Sequence, residues 1–355
     1  MARKTLAQMV GDLEPVIRSA FLSAIAAIRS DITLARVESA IARGDIAAAL
    51  DALNIEASYF RPLDDLLRDA VFDGGDHAIS ELKRLLPRNS VTGRFDASNP
   101  EAADVLLRHS SSRVVEISET TREGLRSALS RAMETDASPR RVALDLAGRM
   151  NRATGRREGG MIGLNSQRAE WLQNAKAELR SGDPAQMSNY LRRGSRNKRF
   201  DGAVRKALDA GRPVPVEIIE RAAVAMSNNL LRDRGEVIAR TELLGSLHAG
   251  QDAGLQQAIA KGQMSADQIN VEWDASGDRF TRPSHSEMDR QRRGYGQPFV
   301  SPTGAMMRYP GDTGLGAPAS EVINCRCHLR IRLNLVNGLK SRLTPEELAT
   351  VRTAL

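Results

Sequence analysis

Residues 213–248 read PVPVEIIERAAVAMSNNLLRDRGEVIARTELLGSLH. Pro213 and Pro215 stand just ahead of the first periodic residue, where a fixed φ suits a helix start and a missing N–H costs nothing. Ile218, Ile219, Ala222, Ala225, Met226, Leu230 and Leu231 then recur at helical spacing, and Val237, Ile238, Leu243, Leu244 and Leu247 continue the stripe. The pattern predicts a long helix from Val216 to about His248, with a further short helix over Gly254 to Lys261. Its length sets the fold class on this side of the chain as helical.

Toward the N-terminus the helical texture continues. Arg192-Arg193-Gly194-Ser195-Arg196-Asn197-Lys198-Arg199 is the densest positive run. It reads either as a solvated turn between helices or as a contact for phosphate or an acidic partner through Arg192, Arg193, Arg196, Lys198 and Arg199. Gln167 to Arg180 is helical, and Thr154 to Gly163, rich in Gly and Arg, reads as a turn. Ser138-Pro139 supplies a capping hydroxyl and a first-turn proline, and Ser110 to Ser112 can cap a helix striped by Val114, Val115, Ile117, Leu125 and Leu129. The polar tract 88–100 reads as a loop or hinge. Before it, Val10, Leu13, Ile17, Phe21, Ile25 and Ile28 mark one helix. A second covers Arg36 to Ala52 with a break near Gly44-Asp45. A third stripe begins at Leu63, is interrupted at Gly74-Gly75 and resumes until Pro87.

After Gln263 the texture changes. Gly, Pro, Ser, Asp and Arg become frequent, and the strand candidates are short: Val271 to Trp273, Phe299-Val300 and Leu329 to Leu333. In the last, Leu329, Ile331 and Leu333 alternate with Arg330 and Arg332, as a half-buried strand requires. Thr344, Pro345 and Glu347 then cap a small final helix ahead of Leu348 and Val351. The fold expected is mainly α, with an elongated multi-helix N-terminal and central region and a small α+β C-terminal module. Composition divides the chain into an N-terminal helical region (1–100), a central helical domain (101–265), the loop-rich module (266–337) and the capped helix (338–355).

Aromatic residues make up 4% of the 355 and hydrophobic residues 41%, which favours a helical core over a sandwich or barrel. No run of about 18 apolar residues exists to span a bilayer, and no apolar signal core follows the charged start, so no membrane partner and no export are expected. Cys325 and Cys327, the two cysteines of the chain, lie too close in sequence for an unstrained bridge. That points to folding in a reducing cytoplasm. The net charge of +7 is compatible with a solvated basic surface or with work near a polyanion such as DNA. No sequence-reading DNA module is present, so any such contact is to phosphate.

Chemistry is most concentrated in the C-terminal segment. On an extended backbone residues two apart share a face, so Cys325 and Cys327 offer two sulfurs on one side. His285, carried over by the Gly/Pro-rich loop, can supply a third ligand for zinc, with His328, His248 or Asp278 as a fourth. The alternative is that both thiols pack as small hydrophobes and His285 makes a structural hydrogen bond. Asp274, Asp278, Glu287 and Asp289 with His285 also admit a general acid–base reading, hence a metal-dependent nuclease. Late in the long helix, Arg240 and Glu242, on either side of Thr241, place charge among Val237, Ile238, Leu243 and Leu244. They are expected either to lie exposed or to brace the C-terminal module through Asp278, Arg279 or Arg282.

Ala239-Arg240-Thr241-Glu242 in a helix, then Trp273, the segment Asp278 to His285 with Arg282, and Asn324-Cys325-Arg326-Cys327 follow one another in an order that resembles the Mu F-like family of phage minor head, or head morphogenesis, proteins. The resemblance covers about the last third of the chain, more loosely the helical block from about Val114, and nothing in residues 1–100. It implies a non-enzymatic minor capsid component, present in few copies inside the head. Such a protein meets the portal protein, with scaffold, major capsid protein and DNA phosphates as further partners. It acts in head assembly, DNA packaging or DNA ejection and is made in the host cytoplasm; the alternative is a metal-dependent nuclease or other DNA-acting effector delivered with the genome. No toxin or nuclease domain is expected after the Cys-x-Cys strand, in contrast to some relatives.

Overall fold

The computed structural model describes residues 4–96, 98–134 and 137–334. In chain order the elements begin α1 (Leu6–Asp31), α2 (Leu34–Ala42), α3 (Ile46–Ala52), α4 (Arg61–Leu85), α5 (Pro100–His109), α6 (Ser111–Met133), α7 (Pro139–Ala147), β1 (Arg149–Asn151) and β2 (Arg156–Glu158). They continue α8 (Ser166–Ser181), α9 (Pro184–Arg192), α10 (Asp201–Asp209), α11 (Val216–Ala260), β3 (Ile269–Asp274), α12 (Pro283–Glu287), β4 (Arg292–Gly294), β5 (Phe299–Val300), β6 (Met306–Met307), α13 (Ala319–Val322) and β7 (His328–Leu333). The chain is mainly α with a small α+β C-terminal part. The capped helix expected over 338–355 lies outside the described residues.

Local chemistry sets several boundaries. The Ser138 hydroxyl accepts from the Arg141 N–H with Pro139 in the first turn of α7, and Asn165 caps α8 through the Arg168 N–H. Asp45 caps α3 through the Ala48 N–H, which accounts for the break at Gly44-Asp45. The glycines inside α4 and α11 do not break those helices. α4 runs through Gly74-Gly75, and α11 runs unbroken for 45 residues through Gly250 and Gly254. A Cβ on Gly250 would stand 2.0 Å from the Val71 carbonyl oxygen, and one on Gly74 would stand 2.0 Å from that of Leu247. These residues let two backbones touch, a use of glycine that periodicity alone does not separate from a break. Strand β2 lies in the stretch 154–163 expected to be a turn, β1 stands just before it, and helix α5, half of whose residues are apolar, forms where no element is expected.

The chain packs as two compact units, crossing between them at 17–18, 63–64, 113–114 and 236–237. Composition suggests divisions at 100 and 265; packing follows other lines, because the long helices contribute different segments to different cores. The unit formed by 18–63 and 114–236 buries Phe21, Ile25, Ile28, Phe60, Leu125, Leu129 and Ile162. At its centre Arg234, 5% exposed, donates to the carbonyls of Gly163 and Ile117 and to the hydroxyls of Thr121 and Thr120. That wiring satisfies a charge that burial otherwise penalises.

The other unit contains residues 4–17, 64–113 and everything described from Val237 onward. Its sheet has the order β4-β3-β7, all antiparallel, with Trp273 opposite Leu329 and Asp274 opposite His328. Glu272 on β3 is gripped by Arg292 of β4 at 2.7 Å and Arg332 of β7 at 2.9 Å. One core joins Ile79, Leu82, Leu255, Met264, Ile269 and Ile331. A second gathers Leu244, Trp273, Met288, Phe299, Met307, Tyr309, Val322, Cys325, Cys327 and Leu329, and here the candidate site lies.

Candidate metal centre

Three short elements converge on one point. β3 delivers Trp273, completely buried, whose ring meets that of His285 edge-on at 5.1 Å. α12 starts with Pro283 in its first turn and presents His285 inward. α13 carries Glu321, and the chain then turns at Asn324, whose φ of 63° is a left-handed conformation that Asn tolerates better than most residues. That turn aims Cys325 and, two residues on, Cys327 at the His285 ring.

Each sulfur lies 3.5 Å from His285 Nδ1. The three ligating atoms fall within 4.8 Å of one another, and all three residues are buried, about 1% exposed. A tetrahedral zinc bonded to sulfur at about 2.3 Å and to nitrogen at about 2.0–2.1 Å holds those two atoms about 3.6 Å apart, so the spacing fits. The opposite ring nitrogen, Nε2, lies 2.8 Å from Glu321 Oε2. Burial pushes the Glu321 carboxyl up, but hydrogen bonds from the Thr303 and Ser284 hydroxyls and from His285 outweigh it and hold the group below its usual value. An ionised carboxylate there fixes the proton on Nε2 and turns the Nδ1 lone pair toward the sulfurs, the tautomer a metal needs. Within the sulfur pair, Cys325 donates to Cys327, so the Cys327 thiol is pulled down and that of Cys325 is pushed up.

The expected fourth ligands stand elsewhere. His248 is used at both nitrogens, Nδ1 donating to the Pro310 carbonyl at 2.7 Å and Nε2 accepting from the Leu329 N–H at 3.2 Å. His328 faces His248, with ring centroids 6.1 Å apart, and burial lowers its pKa. Asp278 accepts from the Phe280 N–H and approaches Arg326 at 3.7 Å. Among the described residues no fourth His, Cys, Asp or Glu joins the cluster. The acids imagined around His285 are also dispersed: Asp274 pairs with Arg330, Asp289 accepts from the Ala275 N–H, and Glu287 is exposed. The carboxylate that does meet His285 is Glu321. No spacing marks it in the chain; it acquires its role when α13 folds onto α12.

The long helix braces this site, through partners other than those expected. Arg240 donates to Asn324 Oδ1 at 2.6 Å and to Glu14 at 2.6 Å, and the Thr241 hydroxyl accepts from the Asn324 N–H at 2.9 Å. The turn that sets up Cys325 is thereby pinned at side chain and backbone. Glu242 pairs instead with Arg113, 3.4 Å away. Arg282 donates to the Ile323 carbonyl, and Arg279 and Arg326 both stack on Phe280. Arg240→Ala should therefore destabilise the chain by about 2 kcal/mol, as expected for hydrogen bonds to charged groups. A urea titration checks this; an unchanged midpoint would remove the brace.

The basic run divides as well. Arg193 makes two hydrogen bonds to Glu178, each 2.7 Å, and Arg196 grips Asp201 at 3.0 Å. Arg192, Lys198 and Arg199 remain exposed, the last with its guanidinium over Phe200.

Residues 186–330 match a family model described as "Phage Mu protein F like protein". No curated protein and no solved structure matches the chain. The matched segment takes in the Arg240-Thr241-Glu242 brace, Trp273, His285, Glu321 and both cysteines, so the match supports a Mu F-like phage head morphogenesis protein.

Proposed function

We propose that the protein is a minor component of a tailed-phage head, seated at the portal vertex inside the capsid and acting in head assembly, DNA packaging or DNA ejection. The observation that carries this reading is the match over 186–330 to a family of structural head proteins. Among the described residues no helix is long and apolar enough to cross a membrane. The exposed Arg192, Lys198 and Arg199 suit the phosphates of packaged DNA, while the portal protein, scaffold and major capsid protein are the protein partners. Synthesis in the host cytoplasm keeps both thiols reduced until a metal is bound.

In this reading His285, Cys325 and Cys327 hold a structural zinc ion, with Glu321 orienting the ring. The ion cross-links α12 to the start of β7 at the edge of the core that holds Trp273 and Phe299. A nuclease centred on His285 has less support, because both sulfurs and the ring are buried beyond reach of a phosphodiester. Detection in purified virions and co-purification with the portal protein are the expected outcomes. Absence from both would contradict the assignment.

A further inference from the structure

In the unit formed by 18–63 and 114–236, a cavity of ≈ 420 Å³ opens between α1, the β1–β2 hairpin and α11. Leu22 and Ile25 of α1 and Leu231 of α11 line its apolar side; Arg29, Arg156 and Arg157 supply its charge. Arg29 is 5% exposed. One terminal nitrogen donates to the Ile162 carbonyl at 2.8 Å, its Nε has no partner, and no carboxylate lies within ion-pair distance of it among the described residues. Arg156 is exposed at the hairpin edge, and Arg157 is half-buried with one bond to the Gly148 carbonyl. The single acid lining the cavity, Glu158, spends one carboxylate oxygen on Asn151 and Thr154.

Three guanidinium groups thus face one carboxylate. Burial is severe enough to pull Arg29 down to about 10, with Glu158 opposing from a distance. Buried charge is ordinarily matched by a counter-charge. Arg234, equally buried in the same unit, makes four hydrogen bonds through its guanidinium. Arg29 has one, beside an opening lined by two more arginines. The planar arginine fork matches phosphate oxygens better than any other anion-binding side chain.

We propose that this cavity binds a phosphate group, with Arg29 at its base and Arg156 and Arg157 closing over it. The phosphate belongs either to a nucleic-acid backbone or to a small phosphate-bearing molecule. The site is independent of the metal centre and of the exposed arginines near residue 199.

The test uses the full chain with two probes, inorganic phosphate followed by calorimetry and a labelled DNA duplex followed by anisotropy across a salt series. Wild-type protein is expected to bind at least one probe. Arg156→Glu, a surface change that leaves the fold intact, is expected to weaken that binding at least tenfold, and Arg29→Met to do the same. Should Arg29→Met fail to fold, Arg156→Glu and Arg157→Glu decide. If the DNA arm responds, the salt slope falls by about one as a phosphate contact is lost, which identifies the backbone as the source. If the inorganic phosphate arm alone responds, the ligand is a small phosphate compound. No binding of either probe, or unchanged affinity in a folded Arg156→Glu protein, overturns the proposal.

Discussion

Replacing Cys325 and Cys327 together with alanine is expected to strip zinc from the protein and unfold the region that the two cysteines close. Small hydrophobic packing alone would make the double change mild, about 1–2 kcal/mol, because alanine is close in size and both positions are buried. A structural zinc site contributes far more, on the order of 10 kcal/mol of apparent binding energy in small zinc domains. The expected loss is at least ~4 kcal/mol, or roughly 8–16 °C in melting temperature for a body of 150–250 residues. The two tryptophans give the readout: Trp273 is wholly buried beside His285, whereas Trp171 is already 38% exposed. Emission from Trp273 should shift to the red in the double variant and on treating wild type with a strong chelator. Acid should act in the same direction, because protons compete with the metal for thiolate and imidazole, so occupancy falls as pH falls. A variant that melts within ~3 °C of wild type, which by the same scaling leaves no room for a metal contribution, would establish that the thiols merely pack.

Gly250→Ala should be as damaging for a different reason. In an ordinary helix interior alanine is about 1 kcal/mol better than glycine, so propensity alone predicts stabilisation. Here the added methyl would lie 2.0 Å from the Val71 carbonyl oxygen and 3.0 Å from the Gly75 N, and backbone atoms cannot rotate away. α4 and α11 must separate, which takes overpacking to the upper end of its usual range, about 3 kcal/mol or more. Gly11→Ala in α1 is the internal control: nothing lies within 4 Å of its added Cβ, and it should stabilise by about 0.5–1 kcal/mol. Urea midpoints for the two variants should move in opposite directions. Equal shifts, or a stabilised Gly250→Ala, would mean that the helices do not touch at this point.

These two sites show what the chain reveals unaided and what it hides. The pairing of Cys325 and Cys327 with His285 is legible because a two-residue spacing on extended backbone has one geometric consequence, and the structure places all three together. Helix α11 is legible by its periodicity, as are β5 and β7 by their apolar pairs and alternation. Gly74, Gly75, Gly250 and Gly254 look like breaks because a glycine in a close helix contact has the same local signature as one at a helix end. For Gly74, Gly250 and Gly254 which it is depends on a partner more than 170 positions away, and for Gly75 on Phe95. Glu321 is hidden for the same reason: its bond to His285 exists only once α12 and α13 have folded together. His328 errs in the other direction, since its nearness in sequence to Cys327 suggests a ligand, while the pleat of β7 turns its ring toward His248. The brace on Asn324 was legible in kind but not in partner, because charge among apolar residues says that a helix is covered without saying by what.

The most direct measurement is the metal content of the full chain purified without added zinc or chelator, read by elemental analysis. About one zinc per chain is expected, falling to near zero in the Cys325→Ala/Cys327→Ala protein and weakened 10- to 100-fold in affinity in Glu321→Gln. A wild-type protein that carries no metal, takes none up from solution and melts at the same temperature with or without chelator would contradict a metal-closed head protein.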